Sequence, residues 1–151
     1  MYFVPLFNPC DKFECVSCGK CCGKYLDEWI LELSPNDVET LCKLGYKNAI
    51  VLFHGKFVLK RKKRKKSCIF LDNDNLCLLR KKYGWYPLGC RLFPFGYYIV
   101  NSTLFITINL KYVKKIGCLG YGRGRTLGAQ VDEVLDILRN EGIIEDYYVK
   151  I

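Results

Sequence analysis

The chain has 151 residues, ten cysteines, one histidine and a formal net charge of +9. Half of its residues are hydrophobic and 26% are charged, which excludes a disordered chain, and the length suits one domain with a modest core. Its longest apolar runs, such as 49–53, fall far short of the ~20 residues that span a bilayer, and Pro5 and Pro9 interrupt any leader-like start, so a cytoplasmic protein without membrane association is expected.

The first clear helix begins after Ser34, a good N-cap, with Pro35 at the first helical position and Asp37 facing the positive end. Val38, Leu41, Cys42 and Leu44 supply its apolar stripe, and Gly45 ends it. Leu26 to Leu33, just before, reads equally as a short helix or an extended segment. Ala49–Phe53 and Lys56–Leu59 form two short strands around His54–Gly55, a hairpin signal. A second hairpin joins Tyr97–Val100 to Leu104–Leu110 through Asn101–Ser102, with Leu104, Ile106, Ile108 and Leu110 on its apolar face. The last helix carries Leu127, Val131, Val134, Leu135 and Leu138 on one side and Gly142 beyond its end. The expected fold is α+β: a single domain over residues 1–151, with short helices and two β-hairpins organised around cysteine-bound metal.

Cys15, Cys18 and Cys21 recur with two residues between each, and Cys22 follows at once. Thiolates at that spacing converge because the loop wraps an ion or cluster, and Gly19 and Gly23 give the backbone the freedom to do so. The spacing is that of ferredoxin-type 4Fe-4S loops, while Cys-x2-Cys pairs serve zinc equally. Neighbouring side chains diverge, so Cys21 and Cys22 are not expected to face the same ion. Cys68, Cys77, Cys90 and Cys118 lie in motif-like surroundings of their own. The run 60–66 holds seven of the 24 basic residues, and without it 17 basic residues face 15 acidic ones. It is either a solvated loop or a polyanion contact. Its position beside Cys68, like that of Arg91 beside Cys90, is expected to favour the thiolate. The lone His54 is read as a turn residue and not a ligand. Phe13, Phe70, Phe93 and Phe95 either shield a cluster or belong to the ordinary core. Disulfides are disfavoured, since no export signal is evident and the dense cluster is too crowded for bridges among its own members.

The ordered set FECVSCGKCC, LSPNDVETL, CIFL with CLL, PLGCRLFPF and CLGYGRG, from about Phe13 to about Leu138, resembles the CxxCxxCC cysteine-cluster family of zinc- or iron-chelating domains, which is related to flagellin lysine N-methylases. By position, the resemblance implies Cys15, Cys18, Cys21, Cys22, Cys68, Cys77, Cys90 and Cys118 as metal ligands. Cys10 and Cys42 match nothing and are expected to be incidental or buried. The resemblance further implies an iron–sulfur centre of the 4Fe-4S type, with zinc as the alternative. Tyr86 stands before Pro87 where the family carries arginine, and the interval from Cys77 to Cys90 is longer than usual.

The stretch Gly117–Arg125 follows a predicted strand and precedes a predicted helix. Its G-x-G-x-G spacing is that of a dinucleotide or S-adenosylmethionine loop, which makes Gly120, Gly122 and Arg123 the candidate cofactor-binding residues. No strand follows the helix to complete a crossover, and a loop wrapping Cys118 explains the glycines as well. Two function classes remain. One is a metal-cluster enzyme acting on a protein substrate, with S-adenosylmethionine-dependent lysine methyl transfer suggested by the resemblance. The other is a non-catalytic, metal-stabilised module that binds RNA or a ribonucleoprotein through residues 60–66. The oligomeric state is not legible.

Overall fold

A computed structural model describes residues 2–16, 18–23, 31–145 and 149–150. Its secondary structure is mixed α+β. The chain divides into two compact units: Met1–Val16, Leu92–Leu110 and Leu119–Ile151 form the first, Ser17–Arg91 and Lys111–Cys118 the second. No helix among the described residues is long and apolar enough to cross a membrane.

In the first unit, β1 (Tyr2–Leu6), β5 (Phe95–Val100), β6 (Thr103–Ile108) and β8 (Val149–Lys150) make a sheet in the order β5–β6–β1–β8. The expected hairpin is β5–β6, and Asn101 and Ser102 turn it with φ of 48° and 64°. Two consecutive left-handed residues give the tight turn whose twist matches the strands. Leu104 and Ile106 are fully buried. Leu110, assigned by its sequence to the strand, instead opens helix α4 (Leu110–Ile116), because Tyr112, Val113 and Ile116 bury themselves at helical spacing. The parallel pairing of β1 with β6 joins segments a hundred residues apart, which no local pattern announces.

A second small sheet pairs β2 (Lys12–Phe13) with β7 (Tyr121–Thr126). The stretch expected to be a glycine loop is therefore mostly strand, and what precedes it is α4, not a strand. Gly120 has a structural reason to be glycine: a Cβ there would sit 2.1 Å from the carbonyl oxygen of Glu14, whose own N–H donates to Gly120 O at 3.0 Å. Helix α5 (Leu127–Asn140) follows, with Thr126 Oγ1 accepting from Ala129 N–H at 3.3 Å and Gly142 at φ 73° beyond the end. Leu127, Val131, Val134, Leu135 and Leu138 are all buried, as their periodicity requires.

In the second unit, α1 (Pro35–Lys43) begins in a full capping box: Ser34 Oγ accepts from Asp37 N–H, and Asp37 accepts from Ser34 N–H. Val38 and Leu41 face the core, but Cys42 is exposed, because the step from Leu41 turns it toward solvent. The first hairpin is β3 (Ile50–Phe53) with β4 (Lys56–Leu59), turned by His54 and Gly55 at φ 48° and 76°; Ala49 lies in a 3-10 turn just before it. Leu26 to Ile30 lie outside the described residues. Leu31 to Leu33 are extended, with Leu33 N–H donating to Phe57 O at 2.8 Å. Two short helices complete the unit, α2 (Leu78–Tyr83) and α3 (Leu88–Leu92). Leu31, Leu33, Leu41, Leu59, Phe70 and Leu79 make its core, against which Cys22, Cys77 and Cys90 pack.

Candidate metal centre

The second unit gathers cysteines from four places in the chain. Lys20–Cys22 form one 3-10 turn entered through Gly19 at φ 74°. Gly19 passes so close to the loop before α2 that a Cβ would meet Asn75 O at 2.4 Å, so only glycine allows this approach. That loop is shaped by Asp72, whose Oδ1 accepts from Asp74 and Leu76 N–H at 2.9 and 3.0 Å, and it delivers Cys77 to the N-terminus of α2. Cys68 N–H donates to Cys22 O at 2.8 Å, which ties the third segment to the first.

Cys90 is held by a device that the capping box conceals. Asp37 is 1% exposed, and beyond capping its own helix it accepts from Leu88 N–H at 3.1 and 3.2 Å. One carboxylate thus fixes the starts of both α1 and α3, two residues before Cys90. Gly89 lets α3 press on the core, since a Cβ there would stand 2.2 Å from Leu31 Cδ1. Arg91 reaches Asp37 at 3.9 Å and donates through Nε to Tyr86 O at 3.0 Å. The Tyr86 ring is covered by the Arg80 guanidinium, 5.1 Å from its centroid. The buried Tyr112 of α4 donates its hydroxyl to Cys21 O at 2.7 Å. Asp37 was legible only as a cap and Tyr112 not at all, because both act across long stretches of sequence.

None of the ten cysteines is joined in a disulfide. The Cys21 and Cys22 sulfurs lie 4.0 Å apart, in contact with each other although neighbouring side chains ordinarily diverge. Their contact lowers the pKa of Cys21 and strongly raises that of Cys22, whose ionisation is further opposed by burial and by charge on Cys21, Cys90 or Cys68. Burial lifts Cys68 to about 11 and Cys90 well above the ordinary thiol value, with charge on Cys77 and Cys21 adding to both. The expectation that the basic run and Arg91 favour the thiolates of Cys68 and Cys90 is therefore overturned. Desolvation outweighs the neighbouring cations, and Arg91 is committed to Asp37 and Tyr86. The phenol of Tyr112 is likewise raised, first by burial and then by charge on Cys21, Cys22 or Cys90.

Charge on Cys21 thus disfavours ionisation of Cys22, Cys68 and Cys90, and Cys22, Cys77 and Cys90 pack with Cys68 on one core. Among the described residues no three Cys, His, Asp or Glu side chains already stand in an arrangement that could hold an ion. The chemistry of the donor set nonetheless fits a thiophilic cation, which alone can hold several such thiolates together in a buried place. Cys18 lies on the same loop, half-buried. Cys118 lies two residues beyond α4, and a Cβ on the preceding Gly117 would lie 3.6 Å from Lys20 Nζ, next to Cys21. Cys15 belongs to the first unit and is exposed. Cys10 and Cys42 are exposed, not buried. His54 stays in its turn, its ring edge on Phe53 at 4.2 Å. Gly122 and the exposed Arg123 lie within β7, and Arg125 is engaged by Glu133. Phe13, Phe70 and Phe95 are buried, and Phe13 packs edge-on against Phe93 at 5.7 Å.

A family model described as "Putative zinc- or iron-chelating domain" (CxxCxxCC) matches residues 14–115, ending three residues before Cys118. Over 129 residues the chain is 30% identical to an uncharacterized protein of Methanocaldococcus jannaschii, an alignment covering 84% of this chain and 43% of that protein. The chain therefore spans less than half the length of that curated relative. No solved structure matches.

Proposed function

This chain belongs to the CxxCxxCC family of zinc- or iron-chelating domains, and on that premise we propose that its second unit binds one tetrahedral ion, zinc or iron, through thiolates. Cys21 and Cys22 supply two ligands and Cys68, Cys77 and Cys90 compete for the remaining two. The observation that carries this reading is the 4.0 Å between the Cys21 and Cys22 sulfurs. Two thiolates on one tetrahedral ion at ~2.3 Å each stand about 3.8 Å apart, so the pair needs little rearrangement to chelate. The ion, when bound, supplies the positive charge that replaces the thiol protons. The chain's own residues do the rest: Asp37 holds the turn bearing Cys90, Cys68 N–H and Tyr112 Oη hold the carbonyls of Cys22 and Cys21, and the core excludes water. On this reading the protein is a metal-stabilised module whose surface performs the function.

The second reading is a 4Fe-4S cluster, supported by the ferredoxin-like spacing of Cys15, Cys18 and Cys21. S-adenosylmethionine-dependent methyl transfer to a protein lysine belongs with that reading and draws its support from the family resemblance alone. Elemental analysis and a visible spectrum of anaerobically purified protein separate the two. One zinc or iron per chain without acid-labile sulfide is expected. About four irons with matching sulfide and a broad brown absorption overturn the single-ion assignment in favour of the cluster. No metal at all overturns both.

A further inference from the structure

Residues 40–71 contain ten basic residues and no acidic one. Seven of the ten form the run 60–66, and the structure shows that this run is not a loose loop. Arg61 pairs with Cys68 in an antiparallel bridge, Lys62 N–H donates to Ser67 O at 2.8 Å, and Lys66 N–H returns to Lys62 O at 2.9 Å. Lys66 adopts φ 55° to close the turn, and Lys62 Nζ is tied down on Leu71 O. Lys63, Arg64, Lys65 and Lys66 are thereby held together and exposed at the tip, above Ser67 and Cys68, which are 5% and 6% exposed. Among the described residues none of these four cations forms an ion pair. Four like charges confined in one turn repel one another, and an anion sharing the site would relieve that repulsion.

We infer that the turn 63–66 docks on the phosphodiester backbone of a nucleic acid, and that the metal centre sets its grip because Cys68 closes the base of the turn. The second clause rests on the metal reading given above; the first does not. A lipid surface fits the geometry less well. Adsorbing segments combine basic residues with apolar ones that insert beside them. Here the exposed Leu52, Phe53 and Phe57 flank the His54–Gly55 turn, at the opposite end of the strand that leads to the basic tip. A phosphate backbone asks only for closely spaced cations. The tip carries no aromatic side chain on which bases would stack, so its cations are expected to grip phosphates more than to read sequence.

The test is fluorescence anisotropy of the metal-loaded protein with a labelled 20-nucleotide single-stranded RNA and a DNA of the same sequence, across a salt series. Both strands are expected to bind with little preference. The logarithm of affinity should fall with that of salt with a slope of about −3, from four cations at ~0.7 per phosphate. Replacing Lys63→Gln, Arg64→Gln, Lys65→Gln and Lys66→Gln together, all exposed and outside the core, should cost at least about tenfold and flatten the slope. Unchanged binding by that variant overturns the assignment. So does binding to phosphatidylglycerol vesicles without binding to either strand. Removing the ion with a chelator should weaken binding several-fold, and equal binding by stripped protein overturns the dependence on the metal centre. Metal analysis of the same preparation keeps the two readings apart: a sample without metal contradicts the thiolate site, while the four-residue variant still decides whether the turn docks.

Discussion

The first unit is built from repeating patterns and the second from point contacts. In β6 and α5 each buried side chain has neighbours at the period of its element, so burial is spread over many residues. In the second unit the helices α2 and α3 are six and five residues long, too short to stand without tertiary support. Its geometry instead depends on single groups: Asp37 on Leu88 N–H, Tyr112 on Cys21 O, and glycines at 19 and 89. A unit of the first kind tolerates local loss. On the proposed reading, a bound ion is the cross-link that holds a unit of the second kind together.

The largest expected effect follows from removing that ion. Chelation of the loaded protein should strip amide hydrogen-exchange protection from α1, α2 and α3 while leaving β6 and α5 protected; equal loss in both units would erase the contrast. Next in size, Leu135→Ala in the fully buried seam of α5 should cost about 2–5 kcal/mol in thermal or denaturant unfolding and leave metal content unchanged. Smaller, and opposite in character, are two glycine substitutions. Gly89→Ala meets Leu31 at 2.2 Å and should cost about 1–3 kcal/mol with reduced metal retention, because it shifts Cys90. Gly120→Ala meets Glu14 O at 2.1 Å and should also destabilise, yet retain its metal, measured by elemental analysis after gel filtration. The smallest effect is Thr126→Ala at the start of α5, about 1 kcal/mol with no change in metal content.

The contrast also explains what the sequence made legible. Helix α5, the Ser34–Asp37 cap and both two-residue hairpin turns follow from periodicity and local chemistry, and all stand where those rules put them. Strand β7 was hidden by Gly122, Gly124 and two arginines, a composition that does not favour strands; it forms because glycine lets the Glu14 backbone approach. Helix α4 was hidden by running straight on from a strand of similar residues. Within the candidate site, the cysteine spacing marked the segments that carry the thiols. It did not reveal that the two compact units divide the motif between Cys15 and Cys18, nor that Cys21 and Cys22 converge. Burial, the largest cause raising the Cys68 and Cys90 thiols, is a property of the folded core and not of adjacent residues, so the basic neighbours in the sequence do not announce it.

The central claim is that Cys21, Cys22, Cys68, Cys77 and Cys90 surround one ion. Alkylation of each cysteine, followed by mass spectrometry with and without chelator, tests it most directly under conditions where the chain stays soluble. In loaded protein, Cys10 and Cys42 should react at once while at least four of the five named thiols resist, and chelation should release those four together. If chelation leaves their reactivity unchanged, or if Cys10 and Cys42 are protected to the same degree, the account is contradicted.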